Sequence, residues 1–385
     1  ARRGRGGTGL AATDFCVATI TSRIGGPRIR NVKMPSQLLS MVLCGVLPLL
    51  GAAASLADES PLPNADYGVS KIWPLGGIGG WDYLALEPSG ARLFVSRGER
   101  VDVVDTSNGH RAGIIADTAG VHGIAFAPEL KRGFTSNGHA NTVTAFELDT
   151  LHVIAQSPVA GKNPDAIVYE PRQQRVYVAE GASNSIDVLD PTTLQVQSSI
   201  ELPGPPEFMV TDGAGTVFVN IETDVGKLIA IDAKTSKIKA TWTLTGCSQP
   251  TGLAIDTVDH RLFSTCANQV MAVTDATSGR QVARVAIGEG PDAAAFDRDL
   301  AFIFSSNGAD GTLTVIHQDT PDQYRVVATV QTAKSARTMT HDPVTHRIYL
   351  AAARLGGTPP PTPDQPRPRP SIVPDSFVVL VAEPR

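Results

Sequence analysis

The sequence predicts an all-β fold, a seven-bladed β-propeller with four-stranded blades. A short apolar strand recurs seven times, and each copy is followed by a second strand that closes on an acidic residue and a turn. The 385 residues include 36 Gly and 28 Pro, and only 18% are charged, which is unlike a helical domain. A repeat of 40–46 residues with four strands is typical of a propeller blade.

The repeat is clearest at the third position of the apolar strand, where six of the seven residues are aromatic although aromatic residues make up only 5% of the chain. These residues are Phe94, Phe134, Tyr177, Phe218, Phe263, Ile303 and Tyr349. The strand that follows ends at Asp105, Asp149, Asp190, Asp232, Asp275, Asp319 or Glu383. A strand of small residues precedes each pair, which fits the crowded hub, and a linking outer strand completes the blade.

The two ends of the repeat predict how the ring closes. The chain ends on a third strand, 377–383, and an orphan fourth-strand pattern stands at 70–76. We expect these segments to pair in the last blade and remove its open edge. A proline-rich insertion, 355–375, interrupts this last repeat, because its prolines exclude ladder strands. It is either an inert surface loop or a lid or docking segment.

The N-terminal region is interpreted as targeting sequence. Residues 34–57 are uncharged, with an apolar centre and small residues before the end, which predicts a signal peptide and a periplasmic or secreted protein. The alternative is a single membrane anchor, but the run is short for a span, so we expect no stable membrane insertion. Residues 1–33 are interpreted as a non-native or untranslated leader, and 58–385 as one propeller.

Charge and cysteines narrow the function further. The net charge is -5, and residues 1–33 hold seven basic side chains and one acidic one, so the remainder carries -11. An acidic body repels phosphate, which disfavours nucleic acid as a partner. Cys16 and Cys44 lie in segments expected to be absent from the mature chain. Cys247 and Cys266 remain, and in an oxidising compartment we expect a disulfide between them.

The repeats resemble the YVTN-repeat, YncE-like family of exported seven-bladed propellers. The resemblance covers about 70–383 and is seen in NPDAIVYEPRQQRVYVAEGASNSIDVLDPTT (163–193) and GPDAAAF (290–296). It implies the fold, but propellers host unrelated activities, and no catalytic motif is available to carry over.

One residue near the start of each inner strand is expected to face the central channel. These ring residues are Asp82, His122, Asp165, Glu207, Thr251, Asp292 and Arg337. The four carboxylates are predicted to bind a divalent cation, with Ca²⁺ favoured, because hard oxygen ligands suit such ions. The alternative is a wet, polar funnel in which water and Arg337 compensate the carboxylates.

Further residues are expected on the same face. Asn163 and Gln249 are predicted to add carbonyl ligands, and Glu180 and Glu222 to lie in neighbouring loops. Among the ring residues, His122 is the one able to act as a base near neutral pH. The other histidines, including His341 and His346, are expected to have surface roles.

Three functions remain open. The first is a metal-dependent hydrolase of a lactone or ester, in which His122 handles the proton and Arg337 stabilises the oxyanion. The second is a non-catalytic propeller, with a small molecule, metal or protein bound at the funnel face. The third is a redox propeller in which His122 ligates a haem-like cofactor. A monomer is expected in each case.

Overall fold

Seven antiparallel sheets of four strands each form a ring, which confirms the predicted seven-bladed propeller. The computed structural model describes residues 66–362, 368 and 370–385. The predicted leader and signal peptide lie outside the described residues. Within the described part, no helix is long and apolar enough to cross a membrane.

The blades follow one another along the chain, and each begins with its inner strand. Blade 7 is completed by β1 (Tyr67–Pro74). Blade 1 contains β2 (Leu84–Leu86), β3 (Arg92–Ser96), β4 (Val101–Asp105) and β5 (Arg111–Ile115). Blade 2 contains β6 (Val121–Ala127), a 3-10 turn (Pro128–Leu130), β7 (Arg132–Asn137), β8 (Thr142–Glu147) and β9 (Val153–Pro158). Blade 3 contains β10 (Pro164–Glu170), β11 (Arg175–Glu180), β12 (Ser185–Leu189) and β13 (Val196–Glu201).

The remaining blades repeat this order. Blade 4 contains β14 (Pro206–Thr211), β15 (Thr216–Ile221), β16 (Lys227–Asp232) and β17 (Lys237–Thr243). Blade 5 contains β18 (Pro250–Asp256), β19 (Arg261–Cys266), β20 (Val270–Asp275) and β21 (Gln281–Ala286). Blade 6 contains β22 (Pro291–Asp297), β23 (Phe302–Asn307), β24 (Thr312–Thr320) and β25 (Gln323–Gln331). Blade 7 contains β26 (Thr338–His341), β27 (Ile348–Ala352) and β28 (Val378–Pro384) together with β1.

The core lies between the blades, where the second and third strands are covered on both faces. The seven residues predicted at the repeated aromatic position are all buried, and none is more than 3% exposed. In blade 6, however, the strand registers place Phe304, also buried, at the position of Phe134, one residue after the predicted Ile303. Outer strands such as β9 are mostly exposed, which agrees with their more polar sequences. The acidic residue after the third strand forms the turn that follows it. Asp190, for example, accepts hydrogen bonds from the backbone N–H groups of Thr192 and Thr193, both at 2.8 Å.

The ring closes as predicted, with β1 antiparallel to β28. The ladder runs from Tyr67 opposite Pro384 to Pro74 opposite Val378, so it begins three residues earlier than the predicted 70–76 segment. Trp73 packs against Tyr349 with 5.6 Å between ring centroids. Gly109 makes this packing possible, because a Cβ there would lie 2.3 Å from the Trp73 ring and the backbone has a positive φ of 78°.

The disulfide prediction is confirmed. Cys247 precedes β18 and Cys266 ends β19, and the two are bonded with their Cα atoms 5.3 Å apart. Both residues are buried in the core around blades 4 and 5.

The proline-rich insertion joins β27 to β28. Its described ends approach each other through an isolated bridge between Leu355 and Ile372 and a 2.8 Å hydrogen bond from the Gly356 N–H to the Ser371 carbonyl. Leu355, Pro370 and Ile372 line a cavity of about 570 Å³ together with Trp81 and Arg337. The insertion therefore lies on the face that carries the ring residues.

Candidate functional site

The ring residues are turned towards the channel by irregularities at the beginning of the inner strands. Five inner strands (β6, β10, β14, β18 and β22) have a register shift immediately after their first residue. In each of them the ring residue is the second residue, within the shifted segment. Such a bulge leaves a residue outside the regular ladder and re-aims its side chain. Asp82 and Arg337 lie just before β2 and β26.

All seven ring residues line one cavity of about 310 Å³, which we call the funnel cavity. Asn163 and Glu222 line it too, as the sequence predicts. Two predicted positions are wrong. Glu180, at the end of β11, is fully buried and does not line the cavity, because its side chain packs beside Gly161. Gln249 is exposed and also lies outside the lining.

Around the ring, acidic and basic side chains alternate over five consecutive blades. Arg337 on blade 7 lies between Asp292 on blade 6 and Asp82 on blade 1. It donates a hydrogen bond from Nη1 to Asp292 Oδ2, its Nη2 lies 3.8 Å from Asp82 Oδ1, and Nη2 also reaches the Trp81 carbonyl at 3.3 Å. Asp292 is therefore committed to the guanidinium, as the polar-funnel alternative expects.

His122 occupies the next position, between two carboxylates. Its Nδ1 lies 2.6 Å from Asp82 Oδ2 and 3.9 Å from Asp165 Oδ1. The ligand-type atoms of these three residues all lie within 4.8 Å of one another. Of the four carboxylates predicted to hold a cation, the structure thus groups Asp82 and Asp165 with the imidazole, while Asp292 pairs with Arg337.

The remaining acid of the ring is Glu207, whose charge also interacts with Arg337. It lies between Asp165 and Thr251 in ring order and hydrogen-bonds Glu222. Burial, together with the charges of Asp165 and Asp292, raises the pKa of Glu207 well above its usual range. The pKa of Glu222 is raised as well, chiefly by burial and then by the charge of Asp292. Both shifts favour the protonated form of the pair.

The proton affinities of Asp165 and His122 are also raised. Burial, and next the charge of Asp82, raise the pKa of Asp165 to about 6. Burial by itself would lower the pKa of His122, but the hydrogen bond to Asp82 and the charge of Asp165 outweigh it and raise the pKa. A proton bound by this cluster thus offsets the negative charge of its acids, and a bound cation would offset the same charge.

An aromatic pair completes one wall of the funnel cavity. The rings of Tyr83 and Phe208 lie 5.0 Å apart, and both residues line the cavity. Phe208 was not predicted from the sequence. The signal was present, because Phe208 follows Glu207 as Tyr83 follows Asp82.

Comparisons with known proteins identify the architecture and leave the family open. No family model matches the chain, and no curated protein matches it. Many solved structures match, among them hydrazine synthase from Kuenenia stuttgartiensis, with a TM-score of 0.65 at 17% sequence identity over 71% of this chain and 92% of that one. This similarity shows the fold. The resemblance to the YVTN-repeat, YncE-like family stays a prediction.

A second polar cluster, which was not predicted from the sequence, lies at the other end of the inner strands. Asp297 is only 1% exposed, and both His341 and His346 donate towards its Oδ2. The prediction that both histidines are surface residues is wrong for His341, whose side chain is 9% exposed. The misreading arose because the two histidines meet Asp297 only through the contact between blades 6 and 7.

Proposed function

We propose that the funnel cavity binds a divalent cation through Asp82, His122 and Asp165 and hydrolyses an ester or lactone beside it. The observation that carries the proposal is the convergence of three ligand-type atoms, from three successive blades, within 4.8 Å of one another. Blade packing by itself does not require two carboxylates and an imidazole at equivalent positions of neighbouring repeats.

The donor set suits a transition metal better than the Ca²⁺ favoured by the ring carboxylates. Ca²⁺ takes six to eight oxygen ligands, whereas an imidazole combined with carboxylates suits Zn²⁺, Mn²⁺ or Fe²⁺. His122 then acts as a ligand, in contrast to its predicted role as a base. The cation would replace the proton that the cluster otherwise holds, so the ion and protons compete for the same groups.

A divalent cation held by Asp82, His122 and Asp165 would polarise a carbonyl group and lower the pKa of bound water. Arg337 lies on the other side of Asp82 and carries a permanent charge that can stabilise the oxygen developing negative charge. The raised pKa values of Glu207 and Glu222 favour the protonated form of this pair, which can donate a proton to the leaving alcohol. Each step therefore has a residue that lines the funnel cavity.

The neighbouring cavity suggests the substrate class. It shares Asp292 and Arg337 with the funnel cavity, and its walls include Trp81, Leu355 and Ile372. An ester or lactone with an apolar acyl group would place its carbonyl near Arg337 and its chain against these side chains. Export to the periplasm or the cell exterior is part of the proposal, and the Cys247–Cys266 disulfide supports it.

A second candidate, binding without turnover, is favoured by the aromatic pair. Tyr83 and Phe208 share the funnel cavity with Asp165 and Glu207, and aromatic faces combined with carboxylates recognise organic ammonium groups. The third expectation is a haem-like cofactor on His122. The similarity to hydrazine synthase does not support it, because that similarity shows the fold alone.

The deciding experiment combines metal binding with turnover. Protein stripped with a chelator should regain about one Zn²⁺ or Mn²⁺ at the funnel and then hydrolyse members of an ester and lactone panel. Asp165→Asn should lower both metal occupancy and rate, while Asp224→Asn, an exposed acid outside the cavity, should change neither.

Each alternative outcome has a distinct meaning. Metal binding that is unchanged in Asp165→Asn contradicts the metal proposal. Metal-loaded protein that is inert towards the whole panel but binds trimethylammonium compounds supports the second candidate.

A further inference from the structure

We infer that Asp297, His341 and His346 form a second divalent-metal site, separate from the funnel cavity, that joins blade 6 to the closing blade 7. Asp297 ends the same inner strand on which Asp292 lies, five residues further on. At about 3.3–3.4 Å per residue, the two sites are roughly 17 Å apart along that strand. The inference therefore stands independently of the proposed hydrolase.

The cluster already has the geometry of a ligand set. His341 Nε2 lies 2.8 Å and His346 Nδ1 2.7 Å from the same oxygen, Asp297 Oδ2. All three ligand-type atoms lie within 4.8 Å of one another. The other carboxylate oxygen accepts a hydrogen bond from the Leu300 N–H at 3.1 Å, which fixes the orientation of the group.

The supporting contacts hold the two rings in place. The His341 ring is nearly parallel to Phe304, at an interplanar angle of 25°, with 6.1 Å between centroids. Tyr67, on β1, donates a hydrogen bond to the His346 carbonyl at 3.0 Å. The His341 side chain is 9% exposed, whereas the His346 side chain is 28% exposed, so the cluster is more open to solvent on the His346 side. Such an opening gives an ion a route in and leaves coordination positions for water.

Comparison with the other blades shows that packing does not demand these histidines. The ladder position of His341 holds an apolar or aromatic residue in five other blades: Leu86, Phe126, Tyr169, Ile255 and Phe296. In the preceding junction, between blades 5 and 6, Asp256 takes the place of Asp297, and Phe296 and Ala301 take the places of the histidines. There the second carboxylate oxygen accepts only a 3.3 Å hydrogen bond from Gln318.

The chemistry of the set defines the ion. Two imidazoles and one carboxylate suit first-row transition metals such as Zn²⁺, Co²⁺ and Fe²⁺. In the metal-free arrangement the nitrogens facing Asp297 Oδ2 carry the protons that they donate to it. On binding, those protons move to the other ring nitrogens or to solvent, and an ion takes their place between the same three atoms.

The position of the site suggests what the metal does. Asp297 belongs to blade 6, whereas His341 and His346 belong to blade 7, which contains both ends of the propeller chain. A shared ion would tie this last blade to its neighbour, and binding to the folded state alone raises stability.

The test uses the full-length mature protein with Co²⁺ as a spectroscopic probe and Zn²⁺ for affinity. His341→Phe and His346→Ala introduce the residues found at the equivalent positions of blade 6. Each should abolish the Co²⁺ d–d bands of this site and weaken its Zn²⁺ binding by at least about 100-fold, since changing groups that merely orient ligands already costs about 10–100-fold.

Two controls separate this site from others. His260→Ala changes the matching turn position of blade 5, outside the cluster, and should bind Zn²⁺ as the wild type does. His122→Ala removes the proposed funnel ligand and should leave this site intact. Zn²⁺ should raise the melting temperature of both controls. Zn²⁺ and Co²⁺ binding by His341→Phe and His346→Ala that matches the wild type would overturn the inference. The inference would also be overturned if His122→Ala were the only variant that lost Zn²⁺ and Co²⁺ binding.

Discussion

His122 on blade 2 and Asp82 on blade 1 share a 2.6 Å contact between imidazole Nδ1 and carboxylate Oδ2. The contact spans two repeats that are 40 residues apart in sequence. It makes the proton affinity of His122 depend on a neighbouring blade, and that dependence can be measured.

In the metal-free protein, Asp82→Asn should lower the pKa of His122. The wild-type pKa is raised because the hydrogen bond to Asp82 and the charge of Asp165 outweigh the effect of burial. Replacing the carboxylate by an amide removes one of these favourable interactions with the imidazolium. NMR titration of the His122 ring measures the shift, and His139, outside the cavity, serves as reference. An unchanged His122 titration would contradict the assigned contact.

Stability should fall as pH rises from about 4.5 towards 8, because of Glu180. This side chain is fully buried, and neither carboxylate oxygen has a hydrogen-bond partner among the residues that the structure describes. Burial, and next the charge of Asp187, raise its pKa from 4.5 to about 8 in the folded state. Between these two pKa values the folded state keeps a proton that the unfolded chain releases. The stabilisation is therefore fully present below about pH 4.5 and is lost as the pH rises towards 8.

Glu180→Gln should flatten that part of the pH profile, since each unit of pKa difference corresponds to about 1.4 kcal/mol. The measurement is urea unfolding at pH 4.5, 6 and 8. Glu201→Gln, an exposed acid of the same blade, should retain the wild-type slope. An identical slope in Glu180→Gln would show that Glu180 ionises normally.

Replacing Cys247 and Cys266 together by alanine should lower the free energy of unfolding by roughly 3 kcal/mol. The disulfide closes a loop with a sequence separation of 19, and the chain-entropy estimate for a loop of this size is about 3 kcal/mol. A reductant should destabilise the wild type but leave the double variant unchanged. Thiol titration of unfolded, unreduced mature protein should find no free thiol, and two free thiols would refute the bond.

Trp73→Ala should destabilise the closed ring far more than Ile72→Ala. The two residues are adjacent on β1, but Trp73 is 7% exposed and packs on Tyr349, whereas Ile72 is 60% exposed. Truncating a buried tryptophan typically costs about 3–5 kcal/mol, while exposed substitutions stay within about 0.5 kcal/mol. Melting curves measure the difference. Equal losses in the two variants would mean that β1 does not close blade 7 through this face.

The predictable features of this protein are those that repeat along the chain. The 40–46-residue spacing and the buried position of residues such as Phe94 and Tyr177 define seven blades. The same periodicity places one residue of every blade at the channel, and it brings Cys247 and Cys266 to the same end of one blade. Strand alternation and hairpin connection are local rules, so the sequence by itself determined the fold, the ring and the disulfide.

Tertiary structure decided which residues of the ring and of neighbouring blades meet. The register shifts and side-chain directions pair Arg337 with Asp292, join His122 to Asp82, bury Glu180 and leave Gln249 outside the funnel cavity. The cluster around Asp297 is formed by residues 44 and 49 positions away in sequence. Contacts of this kind depend on how two separately folded sheets pack against each other, and no local pattern within either repeat encodes that geometry.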